Sequence, residues 1–529
     1  MNAEALQALT PILTLSGVII LLMLIVAFLR NHRLTLGLTL LGIAVTVWST
    51  LNVSPLLETD PIAVTGLLVV SRESLLFYLL FLLSAAVVSI LAFHSFEQGT
   101  AIQPEDSGEK RNKGDFHTRP TFQEEFYLLL LISLLGAIVL VSASHFATLF
   151  LGLELMGLAL YALIAFPAIH ANRNSRSKDQ ALEAGFKYLV LSALATAFLL
   201  FGIALIYAQY GQLQFAAINA AAAAGQGTPV LLAIGLVLLL IGIAFKLSLA
   251  PFHFWTPDVY QGAPTPATAY VATVSKGAVI AITLKLFSDI GAFEMRAPMQ
   301  VFAVLAVTSM LAGNLLALQQ ENIKRLLAYS SIAHIGYLIV AFLVGRQEFG
   351  REAVIYYLVA YIVTTLGAFA VVSLTADYAR RANTQSSPYR ISFYKGMFWR
   401  SPWLATSFTM MLLSLAGIPL TIGFIGKFYI FAAGVQAGYW ALLSAVILGS
   451  AIGLYYYLRI IVMMVQRPGA VVHDDASSGE VSPGEVSPSA KLTHEGVSIA
   501  ISGQMVLAVL TVALLAFGIF PQILINWIQ

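Results

Sequence analysis

No cysteine occurs among the 529 residues. That absence removes disulfides, thiolate metal sites and cysteine-ligated iron–sulfur clusters. Charge is scarce too: 10% of the residues are charged, where a soluble domain carries about a quarter. No Walker motif, dinucleotide fingerprint or metal-ligand spacing interrupts the chain. It therefore supplies no redox centre of its own, and a nucleic-acid partner is not expected. The net charge of +2 decides nothing by itself.

What fills the chain is apolar: 59% of the residues are hydrophobic. The runs fall at about 9–29, 34–51, 74–94, 122–141, 145–167, 182–208, 230–250, 264–289, 299–318, 324–344, 352–376, 402–434, 438–465 and 498–520. Most approach the roughly twenty residues a helix needs to cross a bilayer. They are rich in Leu, Ala and Gly without strict alternation, so they read as helices and not as barrel strands. The expected fold is an all-α polytopic membrane protein of about fourteen transmembrane helices. The first run has no basic segment before it and is followed by Arg30 and Arg33, so it reads as a retained helix.

With the N-terminus outside, the cytoplasmic loops hold nineteen Lys and Arg, Lys324 and Arg325 among them, and the outer loops only Arg72, Arg296, Arg346 and Arg351. That is a strong positive-inside bias, and an even helix count puts both termini on the periplasmic side of a bacterial inner membrane. Two polar loops, 97–120 and 467–495, read as flexible and cytoplasmic; the second repeats GEVSP in tandem over Gly479–Pro488 and cannot bury a core. The chain thus divides into helices 1–3 with a variable loop (1–121), two helical units (122–290 and 297–466), a loop (467–497) and a last helix (498–529).

Five lysines lie inside apolar runs: Lys187, Lys246, Lys276, Lys285 and Lys427. A charge near the bilayer centre costs about 2.5–3.5 kcal/mol even on a lenient scale, so each needs a reason. Lys285, close to a helix end, is expected to snorkel. Lys276 is about eleven residues, or roughly 17 Å, into its helix, and Glu154 is about 14 Å deep. Lys246 has no polar edge in reach, and Lys427 lies deep within the run from Pro402 to Gly434. Lys187 is shallower and could pair with Glu183 on its own helix face, but pairing with Glu154 on the preceding helix is preferred. A buried ammonium is costly to keep charged, and a nearby carboxylate restores it. A lysine beside a movable glutamate can therefore load or release a proton. Sodium ligation would instead ask for several carboxylates and carbonyls.

Lys246 precedes Pro251, and Lys427 follows Gly417 and Pro419. Broken helices at matching places in two halves point to an inverted-repeat transporter. Helices 4–8 and 9–13 give two such five-helix units, with breaks in helices 7 and 12.

The stretches FKLSLAPFHFWTPDVYQGAPTPATAYVATVSK (Phe245–Lys276), GNLLALQQENIKRLLAYSSIAHIGYL (Gly313–Leu338), LSLAGIPLTIGFIGKFY (Leu413–Tyr429) and GSAIGLYYYLR (Gly449–Arg459), with an early LGLELMGL (Leu151–Leu158), resemble the antiporter-like membrane subunits of bacterial complex I, of the subunit N type. The resemblance implies a proton-translocating subunit of NADH:quinone oxidoreductase. It places the proton path on Glu154 and Lys187 as a switching pair, Lys246 as central carrier, Lys276 as bridge and Lys427 as outlet group, with His253 and His334 as polar lining or proton groups. Asp258 is expected to cap or tether a cytoplasmic turn. NADH, FMN, iron–sulfur clusters and quinone are expected in partner subunits, and the partners are other membrane-arm subunits and the lipid bilayer. The alternatives are an Mrp-type cation/proton antiporter subunit and the membrane arm of a hydrogenase.

Overall fold

A helix that is apolar all round must be buried in protein or in lipid, and this chain is built almost wholly of such helices. The computed structural model describes residues 3–57, 60–97, 123–166, 176–226, 228–345, 348–382, 384, 386–467 and 500–528. The loops expected to be flexible, including the tandem GEVSP, lie outside these residues or nearly so. Thirteen described helices are long and apolar enough to cross a membrane. The protein is an all-α polytopic membrane protein.

In chain order the helices are α1 (Thr10–Phe28), α2 (His32–Val53), α3 (Arg72–Glu97), α4 (Glu124–Val141), α5 (Phe146–Ala165), α6 (Arg176–Tyr210) and α7a (Pro229–Leu247). After the short α7b (Trp255–Gly262) come α8 (Thr265–Ile290), α9 (Arg296–Leu318), α10 (Ile323–Leu343) and α11 (Glu348–Arg381). The twelfth apolar run forms two shorter helices, α12a (Pro402–Ala416) and α12b (Ile422–Gln436), before α13 (Trp440–Val465) and α14 (Ile501–Ile519). A two-stranded hairpin, β1 (Ile62–Thr65) with β2 (Leu68–Val70), covers one end of the bundle. The hydropathy reading did not include that hairpin, nor the short helix Phe215–Ala223.

Small residues set the tightest crossings. A Cβ on Gly136 of α4 would lie 2.5 Å from Met156 N of α5, and one on Gly313 of α9 would lie 2.6 Å from Ala333 N of α10. Close backbone approach of this kind is how helices associate where lipid offers no hydrophobic contrast. α8, α10 and α11 are almost entirely buried, whereas α1, α6, α13 and α14 present wide apolar faces outward. The core is thus a helix bundle with its most enclosed members in the second half of the chain.

Candidate functional site

Both interruptions leave backbone groups that must find partners inside protein. α7a ends at Leu247, four residues before Pro251, because Ser248 turns left-handed at φ 63°. Helix α9 covers the gap: Ala250 N donates to Ser309 Oγ at 2.8 Å, and Thr308 Oγ1 donates to Ala250 O at 3.1 Å. The break also carries its own ties, from Thr256 Oγ1 to Ser248 Oγ at 2.7 Å and from Trp255 Nε1 to Phe245 O at 3.0 Å. In the second interruption Gly417 takes φ 85°, and the freed carbonyls of Leu415 and Ala416 accept from Lys427 Nζ at 3.1 and 2.9 Å. A lysine on α12b thus caps the end of α12a.

Lys246, in the last turn of α7a, is 4% exposed, and its ammonium donates to Ser192 Oγ on α6 at 2.8 Å. Tyr161 of α5 donates to the same hydroxyl at 2.8 Å. Glu154 of α5 accepts from Thr196 Oγ1 at 2.9 Å, one turn further along α6. A Cβ on Gly157 would lie 3.3 Å from Lys246 Nζ, and Gly157 is one turn from Glu154. Glu154, Tyr161, Ser192, Thr196 and Lys246 therefore form one cluster. The Lys246 ammonium also lies 5.8 Å from the Tyr188 ring, a distance at which cation–π attraction operates.

Lys276 is fully buried and donates to Ser331 Oγ of α10 at 2.7 Å. Just before it, α8 widens into a π-helical turn over Val271–Ser275, a distortion frequent at functional sites. Tyr361 of α11 uses that turn by donating to Ala272 O at 2.9 Å, and its hydroxyl is 2.6 Å from Ser331 Oγ. One turn further along α10, His334 holds Tyr357 OH at 2.7 Å and Tyr457 OH at 3.2 Å. Tyr357, Tyr361 and Thr364 follow one face of α11, and Thr364 Oγ1 is 3.1 Å from Ser414 Oγ of α12a. His334, Tyr357, Tyr361, Thr364, Ser414 and Lys427 line a cavity of about 10 Å³, close to the least space one water needs. A polar ladder thus leads from Lys276 to Lys427.

The expected Glu154–Lys187 pair is not formed. Lys187 is held by Glu183 at 2.6 Å and by Asp258 of α7b at 2.8 Å. The reason is depth: Glu154 is fixed to Thr196, nine residues beyond Lys187 on α6, or roughly 13.5 Å along the axis. The Lys285 ammonium, near the end of its helix, reaches the carbonyls of Val69 at 3.2 Å and Ser142 at 3.4 Å, tying β2 and the end of α4 to α8. Asp258 is a tether, as expected, though its partners are Lys187 and Arg325. His253, between α7a and α7b, is buried with its ring 4.5 Å from that of Phe254. Its Nδ1 has no hydrogen-bond partner among the described residues.

Sequence reasoning counted Lys324 as a loop cation, but it is 2% exposed and donates to Gln261 O at 3.1 Å and Ala263 O at 2.6 Å. It also passed over Tyr161, Ser192, Thr196, Ser331 and Tyr361. The signal for the first three is spacing on apolar helices: Tyr161 lies seven residues after Glu154, and Ser192 and Thr196 lie four apart. Among the described residues no group of three His, Asp or Glu could hold a metal ion.

The family model for the transmembrane region of NADH:quinone oxidoreductase and Mrp antiporter proteins matches residues 143–453, which include every lysine of the clusters above. The chain belongs to this family. It is 43% identical to NADH-quinone oxidoreductase subunit N of Methylococcus capsulatus over 99% of this chain and 95% of that one. It is likewise 43% identical to subunit N of Ectopseudomonas mendocina, over 100% and 97%. A chain of respiratory complex I from Thermus thermophilus shares its structure with TM-score 0.72, 33% identity and 98% coverage of both. A chain of the Mrp complex from a Dietzia species has TM-score 0.77 over 100% of this chain and 96% of that one. At 20% identity that second likeness shows the fold alone.

Proposed function

We propose that protons cross this chain along Glu154, Lys246, Lys276 and Lys427, with Lys187 at the cytoplasmic mouth and His334 in the ladder between Lys276 and Lys427. The chain is a membrane subunit of NADH:quinone oxidoreductase that takes part in proton translocation. NADH oxidation and quinone reduction, with FMN and iron–sulfur clusters, belong to partner subunits. The observation that carries the path is the setting of Lys246 and Lys276. Each ammonium is buried and held by a serine hydroxyl, with no ion pair among the described residues. A hydroxyl can both accept and donate, so each lysine can change its proton without leaving its partner unsatisfied.

The same reading takes α7a–α7b and α12a–α12b as two broken spanning helices, giving fourteen spans and two inverted units, 122–290 and 297–466. The matching pairs α4–α5 and α9–α10, and α6–α7a and α11–α12a, pack closely, which supports the repeat. The positive-inside bias supports termini on the outer side.

Lys246→Ala and Lys246→Arg test the path in vesicles of the assembled enzyme, with proton uptake followed beside NADH oxidation. Both variants should lose most pumping. Arginine keeps the charge, but with a pKa above about 12 it cannot release a proton usefully. Wild-type coupling in the arginine variant would reject proton carriage by Lys246.

A further inference from the structure

The proposed path leaves one feature of the cytoplasmic end unused. Asp258 on α7b holds two cations from different parts of the bundle, one on each oxygen. Oδ2 is 2.8 Å from Lys187 Nζ of α6, and Oδ1 is 2.8 Å from Arg325 Nη1 of α10. Arg325 is fixed in turn, donating to Gln261 Oε1 at 3.0 Å and Gln320 Oε1 at 3.2 Å. Lys324 beside it ties down the end of α7b through Gln261 O and Ala263 O. Lys187 has a second carboxylate, Glu183, at 2.6 Å, and its side chain is 41% exposed.

The two cations differ in kind. Guanidinium stays charged at any working pH, whereas ammonium is a point charge on a flexible stem that holds its proton beside carboxylates and yields it more easily once it leaves them for a less polar place. Arg325 therefore keeps Asp258 compensated whether or not Lys187 is present. Lys187 is the partner free to leave. Ser192, which holds Lys246, lies five residues further along α6, roughly 7.5 Å along its axis and about 140° round it. Asp258 also rides on the helix whose Trp255 and Thr256 bond back across the break to Phe245 and Ser248, on either side of Lys246.

We propose that Asp258 is a positioning residue for proton intake: it parks Lys187 at the cytoplasmic mouth, clamped by Arg325 from the second unit, and releases it toward Ser192 and Lys246. On release a proton passes from the Lys187 ammonium to neutral Lys246, and Lys187 regains one from cytoplasmic water on returning to Asp258. This rests on the proton path proposed above. It replaces Glu154 by Asp258 as the carboxylate that Lys187 exchanges with.

The test is protons translocated per NADH oxidised, in vesicles of the assembled enzyme. Asp258→Asn should lower this ratio as far as Lys187→Ala does. Asp258→Glu should restore most of it, and Asp258→Asn with Lys187→Ala should fall no further than Lys187→Ala alone. Glu154→Gln should add to the Lys187→Ala loss. A wild-type ratio in Asp258→Asn, while Lys187→Ala and Lys246→Ala fall, overturns the role of Asp258 and leaves the path standing. Wild-type ratios in all of them overturn both. Should Asp258→Asn not assemble, Arg325→Gln takes its place. Without its permanent partner Asp258 grips Lys187 harder, so the same loss is expected and a wild-type ratio refutes the proposal.

Discussion

Gly417 offers a way to move Lys427 without altering it. The glycine ends α12a at φ 85° and ψ 42°, and a Cβ there would lie 2.7 Å from Lys427 Cδ and 3.3 Å from its Nζ. Gly417→Ala therefore has two effects. The left-handed backbone costs a residue with a Cβ about 1–2 kcal/mol, offset by up to about 1 kcal/mol from a less disordered unfolded chain. The methyl group also pushes the lysine stem off the carbonyls of Leu415 and Ala416, and hydrogen bonds to a charged group are worth about 1.5–3 kcal/mol each. Gly438 is the control, because it has φ 74° and nothing within 4 Å of an added Cβ. Gly438→Ala should cost only the backbone part. The expected result is a small fall in Tm for Gly438→Ala with protons per NADH unchanged. Gly417→Ala should show a larger fall in Tm, reflecting a further loss of ~2 kcal/mol in stability, and a lower proton ratio. Thermal unfolding of the purified enzyme and vesicle pumping read the two quantities. Equal behaviour of the two variants would refute the view that the position of Lys427 at the break matters.

Glu154→Gln keeps an acceptor for Thr196 Oγ1 but removes the charge. It should lower pumping more than Glu154→Asp does, and wild-type pumping in the assembled glutamine variant would deny the carboxylate a charge role. Lys285→Met should weaken the end of the bundle where β2, α4 and α8 meet by about 1–3 kcal/mol, because the carbonyls of Val69 and Ser142 each lose a charged donor, visible as a lower Tm, while protons per NADH stay constant; a pumping defect with unchanged Tm would make Lys285 part of the path. Accessibility tags at Gln529 and in the 467–495 loop should report opposite faces of the membrane, and a cytoplasmic C-terminus would overturn the charge-bias orientation.

The fourteen apolar runs foresaw nearly every long helix to within a few residues, because length and unbroken hydropathy are local properties. The unusual charges inside them were just as legible, since a lysine such as Lys246 or Lys276 in an apolar run needs no fold to be conspicuous. Partners were not legible. Lys187 and Glu154 were matched because their helices are neighbours in the chain, but the heights at which side chains lie along packed helices are set by tertiary register. That register leaves Glu154 against Thr196 and sends Lys187 to Asp258, seventy-one residues away. Lys324 looked like a loop cation because the sequence cannot tell that the end of α7b folds over it. Burial, and the hydroxyl ladder from Ser331 through Tyr361 to Thr364, exist only once α8, α10, α11 and α12a are packed together. The sequence by itself determined a membrane-spanning helical chain with charges that must be enclosed. Only the tertiary structure decided which hydroxyls, carbonyls and carboxylates enclose them, because desolvation and hydrogen bonding depend on what surrounds a group in space.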